Sequence, residues 1–163
     1  MRNDLLEDLY QKYYNRVFFY VLSLCGNRST AEEIVQDAFA EACLSMPDDV
    51  TSFPCWIMRV CRNRVIDRWR RKKFLSPEEP KDLAGGTSPE EALLGKESTA
   101  ALYRALRKLP PGERELLALC YFARRPTGEI AAILGITPAA TRQRLVRARA
   151  HLRKIMEEDG YEV

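Results

Sequence analysis

One histidine, no acid anywhere between Ile130 and Met156, and no C-x-x-C pair: these scarcities narrow the chemistry before any motif is sought. His151 lies in a basic segment far in sequence from the five cysteines, Cys25, Cys43, Cys55, Cys61 and Cys120. Ligand spacing for a metal is absent and the odd cysteine number argues against a disulfide framework. The cysteines therefore read as reduced core residues, since free cysteine is among the most buried residue types. Redox sensing by Cys55 and Cys61 is the competing reading, because nearby arginines lower the pKa of an exposed thiol. With one histidine in a basic stretch no catalytic constellation assembles, so neither an enzyme nor a cofactor is expected. No apolar run approaches the roughly 20 residues of a membrane span. The opening MRNDLLEDLY carries acids where a signal peptide has a basic and then an apolar stretch, so the expectation is a cytoplasmic protein without membrane insertion. Strand alternation and glycine-rich phosphate loops are also missing, and the fold class expected is all-α.

What is present is helical periodicity. The 163 residues, 46% hydrophobic, can bury one medium core or two small ones. A net charge of +3 is ordinary, so any nucleic-acid signal must lie in where the charges sit. Over residues 4–25, Leu6, Leu9, Tyr13, Val17, Tyr20 and Leu24 recur at three- and four-residue steps, and Gly26 and Asn27 stop the helix. A second helix follows, with Ser29 and Glu32 at capping-box spacing. Ile34, Val35, Ala38, Phe39 and Ala42 form its buried stripe, and Glu33, Gln36, Asp37 and Glu41 its polar face. The stretch PDDVTSFP reads as a loop ending at Trp56. A third helix over 55–73 puts Ile57, Met58, Cys61, Val65 and Trp69 on a core side, and Trp56, Arg59, Asn63, Asp67 and Arg70 on another. Its last turns, RWRRKK, suit both the negative end of a helix dipole and phosphate.

Composition then shifts. FLSPEEPKDLAGGT (74–87) has two prolines, two glycines and a charge of −2, one Lys against two Glu and one Asp, and reads as an acidic linker reaching at most about 50 Å. The expected domains are thus 1–73 and 88–163. The second holds four helices: 89–108 opening on Ser88, Pro89 and Glu91; 111–122; a short one across TGEIAAIL; and a basic one from Pro138. Between the last two, Gly135 gives a turn and Thr137 an N-cap, the layout of a helix-turn-helix.

In that basic helix Thr141, Leu145, Ala148, Leu152 and Ile155 line the inward stripe. Cations ring the rest. A solvated helix normally intersperses Glu for favourable pairs three or four residues apart, whereas this one accepts repulsion along its length, which a polyanion offsets. Second in a helix-turn-helix, it fits the major groove with its N-terminal residues at base edges. Arg142, Gln143 and Arg147 are the candidate base readers, since Arg grips guanine and Gln adenine, with Val146 for a thymine methyl. Arg144, Arg149, Arg153 and Lys154 are candidate phosphate contacts, although any one of them can instead pair with an acid such as Glu129.

The residues together resemble an extracytoplasmic-function-type RNA polymerase sigma factor. LYQKYYNRVFFYVLSLCGN, AEEIVQDAF and WIMRVCRNRVIDRWRR resemble domain two of that family. ALRKLPPGERELLALCYF, EIAAILGIT and RQRLVRARAHLRK resemble domain four. The resemblance implies that Glu33, Gln36 and Asp37 bind the clamp helices of the largest subunit of core RNA polymerase; the plainer reading of Glu33 is a helix-dipole acid. It implies that Phe53, Trp56, Arg59, Asn63, Asp67 and Arg70 recognise and open the −10 element of promoter DNA, aromatic faces beside cations giving unstacked bases a place. For Trp56 a core role competes. Domain four is implied to read the −35 element and to dock on the flap of the second-largest subunit, and an anti-sigma factor is the implied inhibitor. The chain departs from the family in its arginine-rich Arg142-Gln143-Arg144, and in Pro126 and Gly128 at the start of the short helix, where Thr127 is an alternative cap. The rival function is a stand-alone helix-turn-helix regulator on duplex DNA.

Overall fold

The computed structural model describes residues 2–75 and 97–161, which fall into two compact units. Every regular element among the described residues is helical. The expected linker 74–87 lies outside the described residues from residue 76 on, as do its second boundary and the Ser88, Pro89 and Glu91 helix start, while its first two residues, Phe74 and Leu75, continue the preceding helix.

The first unit comprises α1 (Arg2–Cys25), α2 (Arg28–Ser45), a 3-10 turn (Val50–Ser52) and α3 (Phe53–Leu75). Gly26, at φ 68°, ends α1. Asn27 then caps α2 through its side-chain oxygen, 3.0 Å from the Thr30 N–H. The cap expected at Ser29 is therefore displaced two residues upstream, and Glu32 pairs with Arg28 at 2.9 Å instead of closing a capping box. The three helices bury a common core of Val17, Tyr20, Val21, Ile34, Val35, Ile57, Met58 and Cys61. Burial pushes the Cys61 thiol well above its ordinary range, outweighing the nearby Arg64 cation. The other cysteines depart from the core expectation: Cys43 is exposed and Cys25, Cys55 and Cys120 are half-buried.

The supposed loop before α3 is more ordered than its two prolines suggest. Asp49 caps the 3-10 turn, accepting from the Thr51 hydroxyl at 2.7 Å and the Thr51 N–H at 3.0 Å. These bonds hold its carboxyl below the usual range. α3 then begins at Phe53, earlier than expected, with Pro54 in its first turn, where a missing N–H costs nothing. Beyond Val65 no described side chain of α3 is buried, and Trp69, expected in the core, is 37% exposed. The stripe ends because the helix runs out past the bundle that covers it.

The second unit contains α4 (Glu97–Arg107), α5 (Pro111–Tyr121), α6 (Thr127–Leu134) and α7 (Pro138–Glu158). Leu106, Leu116, Leu117, Leu119, Ile130, Ile133, Leu145 and Leu152 make its core. Arg114 closes the end of α4, donating to the carbonyls of Leu106, Arg107 and Leu109 at 3.0 to 3.1 Å. Helix α6 starts with Pro126 at the cap position and no side-chain cap bond, so Thr127 is its first helical residue and not its cap. Gly135, at φ 70°, ends α6 in the left-handed region open to glycine. Thr137 caps α7, its hydroxyl accepting from the Ala140 N–H at 3.1 Å. Replacing Thr137 by Ala is expected to cost about 1 kcal/mol, read as a lower urea midpoint at unchanged slope.

Candidate nucleic-acid interface

In α7 the inward stripe is Thr141, Leu145, Ala148 and Leu152, all buried. Thr141 brings a hydroxyl into that stripe and satisfies it on the Thr137 carbonyl at 2.9 Å. Packing on α5 and α6 therefore fixes the helix's rotation, and Ile155, expected on the same stripe, is only half-buried near the helix end. Arg142, Gln143, Arg144, Val146, Arg147, Arg149, Arg153 and Lys154 are all exposed, Val146 by 68%. Among the described residues, Arg142, Gln143, Arg144, Arg147, Arg153 and Lys154 make no ion pair or side-chain hydrogen bond. The charge of the five cations among them is left without compensation from the described residues.

Arg149 differs. It donates to Cys120 Sγ at 3.4 Å, and the hydrogen bonds it gives to Tyr121 and Cys120 hold its guanidinium in the charged form. It is thus tied to the end of α5, and a phosphate contact there must reach its remaining donors. The acid considered as a partner for these cations, Glu129, is instead taken by Arg125 at 3.0 Å. His151 stands 2.8 Å from the carboxylate of Glu113, across to α5. The Arg149–Cys120 and His151–Glu113 links were not legible in the sequence, because each joins two helices whose relative rotation depends on packing.

On the first unit, Arg59, Asn63, Asp67 and Arg70 share one exposed line of α3 and have no ion-pair or hydrogen-bond partner among the described residues. Trp56 continues this line half-buried, its ring 6.1 Å from that of Phe53. Phe53 itself does not belong to the surface. At 1% exposure it is enclosed by Tyr13 and Phe39, each ring centroid 6.0 Å away, so its face is unavailable to an unstacked base. Arg71 and Lys72, which sequence reasoning noted only within the run RWRRKK, extend the exposed cationic end.

The polar face of α2 is exposed as expected at Glu33, Gln36 and Asp37, but it is not free. Glu33 pairs with Arg68 at 2.9 Å, and Arg64 bridges Glu41 at 3.0 Å and Asp37 at 4.0 Å. Gln36 donates to the Tyr10 hydroxyl at 3.1 Å. A ladder of charges therefore runs between α2 and α3 on the side of α3 away from the Arg59–Arg70 line. Among the described residues no group of His, Cys, Asp and Glu could hold a metal ion, and no helix is long and apolar enough to cross a membrane.

Comparison with known proteins bears on both units. Residues 9–74 match the model of Sigma-70 region 2, and residues 99–152 match that of Sigma-70 region 4. The ECF RNA polymerase sigma factor SigW of Bacillus subtilis is 28% identical over 95% of this chain and 90% of its own length. The RNA polymerase sigma factor CnrH of Cupriavidus metallidurans is 31% identical, over 79% of this chain and 74% of its own. Among solved structures, the sigma factor RpoE of Bartonella quintana in complex with the anti-sigma factor NepR shares the fold, with a TM-score of 0.69 at 20% identity over 93% of this chain and 98% of that one. With region 2 on the helical unit that carries the exposed α3 line, and region 4 on the helix-turn-helix, the chain belongs to the Sigma-70 family of RNA polymerase sigma factors, as one of the extracytoplasmic-function type.

Proposed function

We propose that the chain binds core RNA polymerase, directs it to promoters through the −10 and −35 elements, and promotes melting of the DNA. The observation that carries this is the exposed face of α7, where five of six Lys and Arg residues between Thr137 and Lys154 have no partner among the described residues and no acid interrupts them. Self-repulsion on this scale is offset only when a polyanion is bound. Arg142, Gln143 and Arg147 with Val146 read bases of the −35 element in the major groove; Arg144, Arg149, Arg153 and Lys154 hold phosphates. Trp56, Arg59, Asn63, Asp67 and Arg70 act on the −10 element, Trp56 offering its half-exposed ring beside Phe53. Glu33, Gln36 and Asp37 meet the polymerase clamp helices, and the second unit meets the flap. An anti-sigma factor that covers the polymerase-binding surfaces holds the protein inactive, and its place of action is the cytoplasm.

Run-off transcription with core polymerase tests the proposal. A promoter-dependent start is expected, and duplex binding without one would leave the stand-alone regulator, a reading that gives α3 and its exposed line no task. The melting role has its own test. Asn63→Ala and Asp67→Ala are expected to slow promoter opening about tenfold or more while changing duplex affinity little, followed with a fluorescent base within the −10 region. Equal losses in both measurements would remove these residues from the opening step.

A further inference from the structure

Two consecutive arginines occupy the turn between α5 and α6, and their side chains are used differently. Arg125 is turned inward and 11% exposed, its Nε donating to the Ala123 carbonyl at 3.1 Å and its Nη1 pairing with Glu129 at 3.0 Å. Arg124 is exposed and makes no ion pair or side-chain hydrogen bond with a described residue. It also holds φ 54°, alone among the described non-glycine residues in having a positive φ. The conformation is imposed by the end of α5, where the Ala123 N–H bonds the Ala118 carbonyl and the Arg125 N–H bonds the Leu119 carbonyl, both at 3.0 Å. Glycine serves the equivalent purpose at Gly26 and Gly135, with φ of 68° and 70°. A Cβ in this region crowds the neighbouring carbonyl, which is why glycine usually stands after a helix end. Arg124 accepts that crowding, and no bond of its guanidinium with a described residue offsets it.

The place of this turn supplies a reason. It leads directly into α6, the helix packed on α7, and in a helix-turn-helix the first helix crosses the DNA backbone while the second lies in the groove. A long cationic side chain at the entrance to the crossing helix is positioned for the phosphate chain and not for a base edge. We propose that Arg124 is a backbone-phosphate anchor for the duplex bound by α7, fixing the depth and register at which Arg142 and Gln143 meet the bases. The proposal rests on the reading of α6 and α7 as the −35 module.

Arg124→Gly separates anchoring from folding, because glycine removes the cation and relieves the backbone together. With the full chain assembled on core polymerase and titrated against promoter duplex, Arg124→Gly should bind about three- to tenfold more weakly, with a salt slope shallower by about one unit. The loss should be equal for two different −35 sequences. The thermal midpoint of the free variant should be unchanged or raised, by up to about 5 °C. Arg124→Lys, which keeps the charge, should retain the slope. An unchanged slope in Arg124→Gly, an equal loss in Arg124→Lys, or a lowered midpoint in Arg124→Gly each overturns the anchor. Arg142→Ala measured in parallel keeps the two readings distinguishable: if it weakens binding while Arg124→Gly does not, the anchor alone fails, and if neither does, the −35 reading fails with it.

Discussion

Arg142→Ala and Arg147→Ala are each expected to cut discrimination between the preferred −35 sequence and a single-base variant by roughly 5- to 150-fold, the equivalent of about 1–3 kcal/mol for a bidentate contact. Thr141, Leu145, Ala148 and Leu152 seat α7 so firmly that its first two exposed turns have one available rotation. Arg142 and Arg147 have no partner among the described residues, so removing either breaks nothing within the fold. The whole effect should therefore fall on the DNA complex. Affinity for core polymerase should stay as it is, measured by competition with a labelled wild-type chain before any DNA is added. A collapse of that affinity would move both arginines to the polymerase interface. Arg153→Ala, two turns further along, should instead weaken all sequences alike and lower the salt slope by about one unit.

Phe53→Ala should have the second large effect, on stability. Its ring is enclosed by Tyr13, Phe39 and Trp56, which makes it a junction of α1, α2 and the start of α3. Deleting a buried phenylalanine costs about 3–5 kcal/mol, a large share of the stability of a unit this small. Urea unfolding should show the loss as a lower midpoint, and Phe53→Leu should recover much of it. Trp56→Ala is the contrast. Its half-exposed ring contributes less to the core, so its variant should unfold at a midpoint nearer the wild type while opening promoters slowly. If the two variants exchange these phenotypes, the assignment of one ring to the core and the other to the surface is reversed.

The contrast between these neighbours also shows what a sequence can carry. Periodicity identified the stripes of α1, α2 and α7, because an amphipathic helix writes its buried face at a fixed spacing. The turn chemistry of Gly135, Thr137 and Pro138 was equally plain, each residue type being required by a backbone geometry. Phe53 was misread because it stands at a boundary, where the spacing on one side is missing and the phase of the helix is undefined until its first turn is known. Trp69 failed for the opposite reason: its phase was correct, but the covering elements do not extend that far. The pairs Glu33–Arg68, Glu41–Arg64 and His151–Glu113 lie beyond any single-helix argument, since each requires the rotation and offset of two helices at once. Arg124 was silent in the sequence because its peculiarity is a dihedral angle.

The charge ladder between α2 and α3 has a kinetic consequence. Three carboxylates set against two guanidinium groups at close range present a row of near-cancelling dipoles, whose reach into solvent falls off faster than that of an anionic patch. A cationic surface approaching this face feels little guidance from afar and must find it by local fit. Association there should accordingly be slow to quicken as ionic strength is lowered, whereas capture of DNA by the other unit accelerates steeply, so the two ends of one chain answer the same change of salt in different ways.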